Sequence, residues 1–196
     1  MASGFAFPVI HAPASKRPLY IGMRVTREEY LDLEEDGFYY DVVRGVMQLS
    51  PSGDFEHGKR ALDFGTEINL YLRQRKIGKA VAEIDVLLPD GGDPLRPDIS
   101  VILTPNLGIV KKHILGAPDL IAEILSPSTR AFDLGAKADR YLASGVREFW
   151  IIDPAARTLQ LWQNQDRTSW QKTDAGVLRS SVLPGFELNA ADFFAE

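Results

Sequence analysis

Two carboxylates sit where carboxylates are costly. Asp98 interrupts the apolar run from Pro97 to Leu103, and Glu123 interrupts the run from Leu120 to Leu125. Short apolar runs of this kind suit β-strands covered on both faces. An ionised carboxylate in such a strand must be paired or must hold a cation, because its desolvation is otherwise uncompensated. Two such acids, 25 residues apart in the chain, suggest one shared cation. An all-oxygen site suits Mg2+, with Mn2+ able to substitute. The alternative left open by spacing is that each acid closes a strand end and pairs with a nearby arginine. Lys137 is the third anomaly. It lies three residues after Leu134 and four before Tyr141, so it borders the apolar stripe of Leu134, Ala138, Tyr141 and Leu142. Its ammonium could reach inward to orient a water or to stabilise charge on a transferring phosphoryl group. It could equally lay its stem along the surface with its head in water.

Other residues are weaker candidates. Glu83 points away from the apolar side of an alternating run from Ala80 to Leu88 and could add a third acid; Asp85 shares its side. Asp119 and Asp153 read as turn formers. Arg130, Arg140 and Arg147 could meet phosphates, although solvated helix faces explain them adequately. Tyr141 and Trp150 read as core. Several chemistries are missing: there is no G-x-S-x-G elbow, Gly91-Gly92 is followed by no phosphate-binding lysine, and His11, His57 and His113 lack zinc spacing.

The elements that must position these groups can be read in order. Thr26 and Glu29 have capping-box spacing with Val25 and Tyr30 at the staple positions, which predicts a helix through Leu33 that stops near Gly37. Phe38 to Leu49 reads as a hairpin turning at Arg44-Gly45. Ala61, Phe64, Ile68, Tyr71 and Leu72 recur at helical spacing, which predicts a long helix over residues 57–74. Strands are expected at 80–88, 97–103 and 120–125. A helix is expected at 130–144, with Asp133 in its first turn and Gly145 after its end, then a strand at 149–152 paired with Leu159 to Trp162. This order predicts an α/β fold, a mixed β-sheet flanked by helices on both faces, with an added N-terminal helix and β-hairpin. Residues 1–22 read as a flexible N-terminal arm and 23–196 as a single domain.

Composition sets outer limits. The chain has 196 residues and no cysteine, which excludes disulfides, zinc–thiolate sites and thiol nucleophiles. No apolar run approaches the roughly 20 residues needed to span a bilayer, and the start does not read as a signal peptide, so no membrane partner and a cytoplasmic location are expected. The net charge of -5 argues against coating nucleic acid through a general positive field. It leaves room for a local basic groove and a bound cation.

The stretches VTREEYLDLEEDG, YYDVVRGVMQLSP, RPDISVI and, most specifically, LIAEILSPSTRAFDLGAKADRYLASGVREFWIIDP resemble a bacterial family of restriction-endonuclease-like proteins within the PD-(D/E)XK nuclease superfamily. The likeness covers about residues 23 to 190. It implies a core of helix, three-stranded meander, helix and further strand. It also implies a Mg2+-dependent endonuclease that hydrolyses DNA phosphodiester bonds and leaves a 5′-phosphate and a 3′-hydroxyl. Asp98 matches the Pro-Asp aspartate and Glu123 the second acid; both would hold the metal, with the backbone carbonyl of Ile124. The superfamily lysine falls at Leu125 here, so the resemblance points to Lys137 on the next helix. His57 matches a histidine common at that place in the family and could contact a phosphate or simply cap or pack. Cutting both strands together implies a homodimer. The alternative is a catalytically inactive nucleic-acid-binding or assembly protein on the same fold.

Overall fold

The capping box forms as spaced: Thr26 accepts from the Glu29 N–H at 3.2 Å and Glu29 accepts from the Thr26 N–H at 2.7 Å. It starts α1 (Arg27–Asp32), and Leu33 is already extended at its C-cap. In the computed structural model, which describes residues 17–50, 53–89, 93–174 and 176–195, the chain continues as a hairpin of β1 (Tyr40–Val43) and β2 (Val46–Leu49). Arg44 and Gly45 both have positive φ, as a two-residue turn matched to strand twist requires. Residues 1–16 of the expected N-terminal arm lie outside the described residues. The end of that arm is tied down: Leu19 N–H donates to Asp36 and Gly22 N–H to the Met47 carbonyl. Ordered packing of this lobe therefore begins before residue 23.

Asp54 caps α2 (Phe55–Arg75), which buries Phe64, Ile68, Tyr71 and Leu72. Six strands then form the central sheet. They are β3 (Gly78–Ala82), β6 (Ile99–Leu103), β8 (Leu120–Ile124), β9 (Glu148–Asp153), β10 (Thr158–Asn164) and β11 (Trp170–Thr173). The spatial order is β11-β10-β9-β8-β6-β3, with β8 and β9 parallel and every other pair antiparallel. A small side sheet joins β4 (Val86–Leu87), β5 (Pro94–Leu95) and β7 (Ile114–Leu115), and β12 (Val177–Arg179) pairs with β13 (Glu187–Asn189) before α5 (Ala190–Phe193). Between β8 and β9 run α3 (Arg130–Phe132), a π-helical turn (Asp133–Lys137) and α4 (Ala138–Ser144), without a break.

The sheet is covered on both faces. Ile99, Val101, Leu120, Ala122 and Ile124 pack with α2 and the C-terminal segment; Ile102, Ile121, Leu125 and Phe149 pack with Ala138 and Tyr141. Strand parity puts Glu123 with Ile121 and Leu125, on the face covered by α3 and α4. Asp98 lies not within a strand but just before β6, where it meets both His57 of α2 and the Ile124 N–H of β8. The expected strand 80–88 does not exist as one element. Glu83 adopts φ 49°, which breaks the run, and β3 and β4 enter different sheets. Glu83 is consequently not on the polar side of a continuous strand, as alternation had suggested. β11, β12 and β13 had no signal strong enough to predict them.

Candidate active site

The π-helical turn is the device that places Lys137. Ala138 N–H donates to the Asp133 carbonyl, a five-residue step that widens the helix by one residue, a distortion often found at functional sites. Asp133, Lys137 and Tyr141, spaced four apart, all turn inward and are buried. Lys137 is thus not at the border of the apolar stripe with its head in water. Its ammonium stands 3.2 Å from Glu123 Oε1, 3.1 Å from Asp133 Oδ1 and 3.5 Å from Asp41 Oδ2. Burial by itself would pull the Lys137 pKa down, but Glu123, Asp41, Asp133 and Asp98 outweigh it and hold the group well above the ordinary lysine value, so it is charged.

Glu123 is only 2% exposed. Its Oε1 accepts from Lys137 and, at 2.7 Å, from the Tyr141 hydroxyl. Burial, with Asp133 and Asp98 nearby, pushes its carboxyl above the usual range against the opposing pull of Lys137 and Tyr141. Asp98 lies just before β6. Its Oδ2 accepts the Ile124 N–H at 2.6 Å, and its Oδ1 is 3.2 Å from His57 Nε2. That contact, more than the opposing burial, raises the His57 pKa. His57 reaches this point because Asp54 caps α2 through the His57 N–H.

One open pocket of about 410 Å³ is lined by Asp98, Glu123, Ile124, Lys137, His57 and Glu83 together. Glu83 contributes from an exposed bend, where its carbonyl accepts from Arg96 and its N–H donates to the Asp98 carbonyl. Asp41, Asp133 and Arg96 also line it and were not singled out from the sequence. Asp41 carried a usable signal, since it interrupts the apolar strand YDVV as Asp98 and Glu123 interrupt theirs. Asp133 stands one helical turn before Lys137, which was a second signal. Tyr141 is buried as expected, yet its hydroxyl serves Glu123. Asp85, expected beside Glu83, is instead taken by Arg96 at 2.7 Å and His113 at 3.5 Å. Arg130 and Arg147 pair with Asp153 and Asp119, so these two arginines are structural ties here.

The charge balance of the pocket bears on what it can hold. Among the described residues that line it, Asp41, Asp54, Glu83, Asp98, Glu123 and Asp133 face only Lys137 and Arg96 as permanent cations. A phosphate would be repelled from such a pocket unless a further cation entered with it. Among the described residues no group of three or more His, Cys, Asp or Glu side chains is arranged to hold a metal ion. The Asp98 and Glu123 carboxylates both line the pocket and offer oxygen donors. That hard-oxygen set, completed by water or substrate oxygens, is how Mg2+ is commonly bound, and it does not suit zinc.

Comparison with known proteins gives three findings. The Uma2 family model, described as "Putative restriction endonuclease", matches residues 27–191. An "Uncharacterized protein slr1290" of Synechocystis sp. is 22% identical over 167 residues, covering 83% of each chain. A solved structure from Anabaena variabilis, described as a "putative nuclease belonging to DUF820", superposes with a TM-score of 0.75 at 24% identity, covering 87% of this chain and 98% of that one. At that identity it establishes the restriction-endonuclease-like fold. Among the described residues no helix is long and apolar enough to cross a membrane.

Proposed function

The chain belongs to the Uma2 family, and on that premise we propose that it is a Mg2+-dependent endonuclease that hydrolyses DNA phosphodiester bonds. The observation that carries the reading is the buried ammonium of Lys137 at 3.2 Å from Glu123, in a pocket shared with Asp98. It supports a lysine moved from the position of Leu125 to the following helix with its charge still beside the second acid. Mg2+ held by Asp98, Glu123 and the Ile124 carbonyl would supply Lewis-acid stabilisation of charge on the scissile phosphate.

The remaining work falls to the chain's own residues. His57 and the Ile124 N–H fix the Asp98 carboxylate from two directions. Tyr141 and Lys137 fix Glu123. Lys137 has three N–H donors and three carboxylate neighbours, of which Asp41 is the most distant. Its donor to Asp41 is therefore the one surrendered at least loss to a water or a phosphoryl oxygen. From there the ammonium orients a water for in-line attack and offsets the charge that develops on the phosphoryl oxygens. Attack breaks the bond to the 3′-oxygen, leaving a 5′-phosphate and a 3′-hydroxyl. One pocket cuts one strand, so a homodimer cuts both.

The test is cleavage of plasmid DNA with Mg2+ or Mn2+ by the wild type and by Asp98→Ala, with RNA as a parallel substrate. Metal-dependent cleavage that is lost in the variant is expected. Equal cleavage by both proteins removes Asp98 from the mechanism. Absence of any cleavage by the folded wild type in either metal sinks the nuclease reading and leaves the alternative of a catalytically inactive nucleic-acid-binding or assembly protein on this fold.

A further inference from the structure

A second pocket, of about 310 Å³, adjoins the first, and five aromatic side chains enter its otherwise mixed lining: Tyr20, Tyr30, Phe38, Tyr39 and Tyr40. Tyr39 and Arg96 line both pockets and so form the wall between them. The Arg96 guanidinium lies over the Tyr39 ring at 4.1 Å. It is locked there by Asp85 at 2.7 Å and by the Glu83 carbonyl at 3.0 Å. Tyr39 is nonetheless 58% exposed. One side of the ring is thus braced by a fixed cation while much of it stays open.

We propose that this aromatic pocket binds an unstacked nucleobase of the strand whose phosphodiester enters the neighbouring acidic pocket; the proposal rests on the nuclease reading above. The charge pattern chooses the base over a phosphate. Glu34 and Glu35 are exposed in its lining together with the buried Asp36 and Asp85, and these four carboxylates outnumber the two permanent cations there, Arg96 and Lys112, with His113 beside them. Carboxylates repel a phosphate but accept hydrogen bonds from the exocyclic amino groups of adenine, cytosine or guanine. An uncharged planar ring also gains from stacking on tyrosine, with no requirement for a particular base. Continuity of the two pockets through Tyr39 and Arg96 lets one strand place a phosphate in the first and a base in the second. A base can reach such a pocket only after leaving its stack, so single-stranded or frayed substrate is favoured over intact duplex.

The experiment measures kcat/KM for single-stranded oligonucleotides in which an abasic position is stepped across the cleavage point. The proteins are the wild type, Tyr39→Ala and Tyr39→Trp. At one position the wild type should prefer the intact strand over the abasic one by roughly 5- to 150-fold, the range for stacking one base. That preference should collapse towards unity in Tyr39→Ala and survive in Tyr39→Trp. A wild-type preference of one at every position, or a preference undiminished in Tyr39→Ala, overturns the base pocket while cleavage itself leaves the nuclease reading intact. If neither the oligonucleotides nor plasmid DNA is cleaved, the nuclease reading fails separately. The pocket is then judged by saturation-transfer NMR with adenosine and cytidine monophosphates: base-proton signals lost in Tyr39→Ala sustain it, and their absence from the wild type overturns it.

Discussion

Replacing Lys137 with methionine keeps an unbranched stem of similar length and deletes the one ammonium that three buried carboxylates share. The contacts at 3.1, 3.2 and 3.5 Å are each worth about 5 kcal/mol of gross attraction at an effective dielectric of about 20. Most of that is offset by desolvation of the lysine and by repulsion among the acids it gathers. What the variant loses is compensation: Glu123, Asp133 and Asp41, between 2% and 5% exposed, remain buried with no ion pair to another cation among the described residues. Breaking a buried pair from one side costs about 3–5 kcal/mol. That is a large share of the roughly 5–15 kcal/mol by which domains are stable. For a chain of this length each kcal/mol moves the midpoint by about 2–4 °C, so thermal unfolding should fall by about 6–20 °C. Urea unfolding in metal-free buffer measures the loss directly. Adding Glu123→Gln to Lys137→Met should recover part of it, with a coupling energy of about 1–3 kcal/mol in the double-mutant cycle. A loss below about 1 kcal/mol, or strictly additive single changes, would refute the claim that this ammonium holds the acids together.

Glu148 is fully buried and accepts from Ser180, Trp150, Gln163, the Ser181 hydroxyl and the N–H groups of Ser181 and Val182. At about 1–3 kcal/mol for each donor left unmet, Glu148→Ala should cost at least about 3 kcal/mol and expose the segment after residue 176 to limited proteolysis; unchanged stability and digestion contradict this. For Asp153, burial alone would raise the carboxyl, but hydrogen bonds from Arg130 and the Ala156 N–H hold it below its ordinary value. A depressed folded pKa contributes stability above the unfolded pKa of about 3.9 and loses it as pH falls through the folded value. Arg130→Ala should therefore shift acid unfolding to higher pH, and an unmoved acid midpoint counts against the pairing. Sedimentation velocity at micromolar concentration should give a dimer with DNA bound; a monomer that still cuts both strands at once excludes the two-copy arrangement.

Much of the site was legible in the sequence because burial cost is a local quantity. A carboxylate inside an apolar run stands out without any knowledge of the fold: Glu123 is buried within β8 as expected, whereas Asp98 lies just before β6 and is only half-buried. Capping obeys the same logic, since Thr26 and Glu29 satisfy each other within one turn. The helix that delivers Lys137 was legible from its 3.6-residue period, and so was the glycine that ends it.

What required tertiary structure was convergence. Asp41 arrives on a hairpin 96 residues before Lys137 in the chain, docked by the Asp93 carboxylate accepting from Arg44 and Gly45 N–H groups. No periodicity encodes that meeting. The break at Glu83 was hidden for a related reason: alternation from Ala80 to Leu88 is locally consistent with one strand, and only competition between two sheets for β3 and β4 divides it. The inward turn of Lys137 depended on a π-helical step whose cost is met by four acids around the ammonium, a balance invisible from the helix alone. Residue chemistry by itself determined which groups could not rest in an apolar sheet uncompensated. The packing of distant segments decided which of them would compensate one another, because desolvation acts at a single residue whereas Coulomb attraction depends on where every other charge comes to lie.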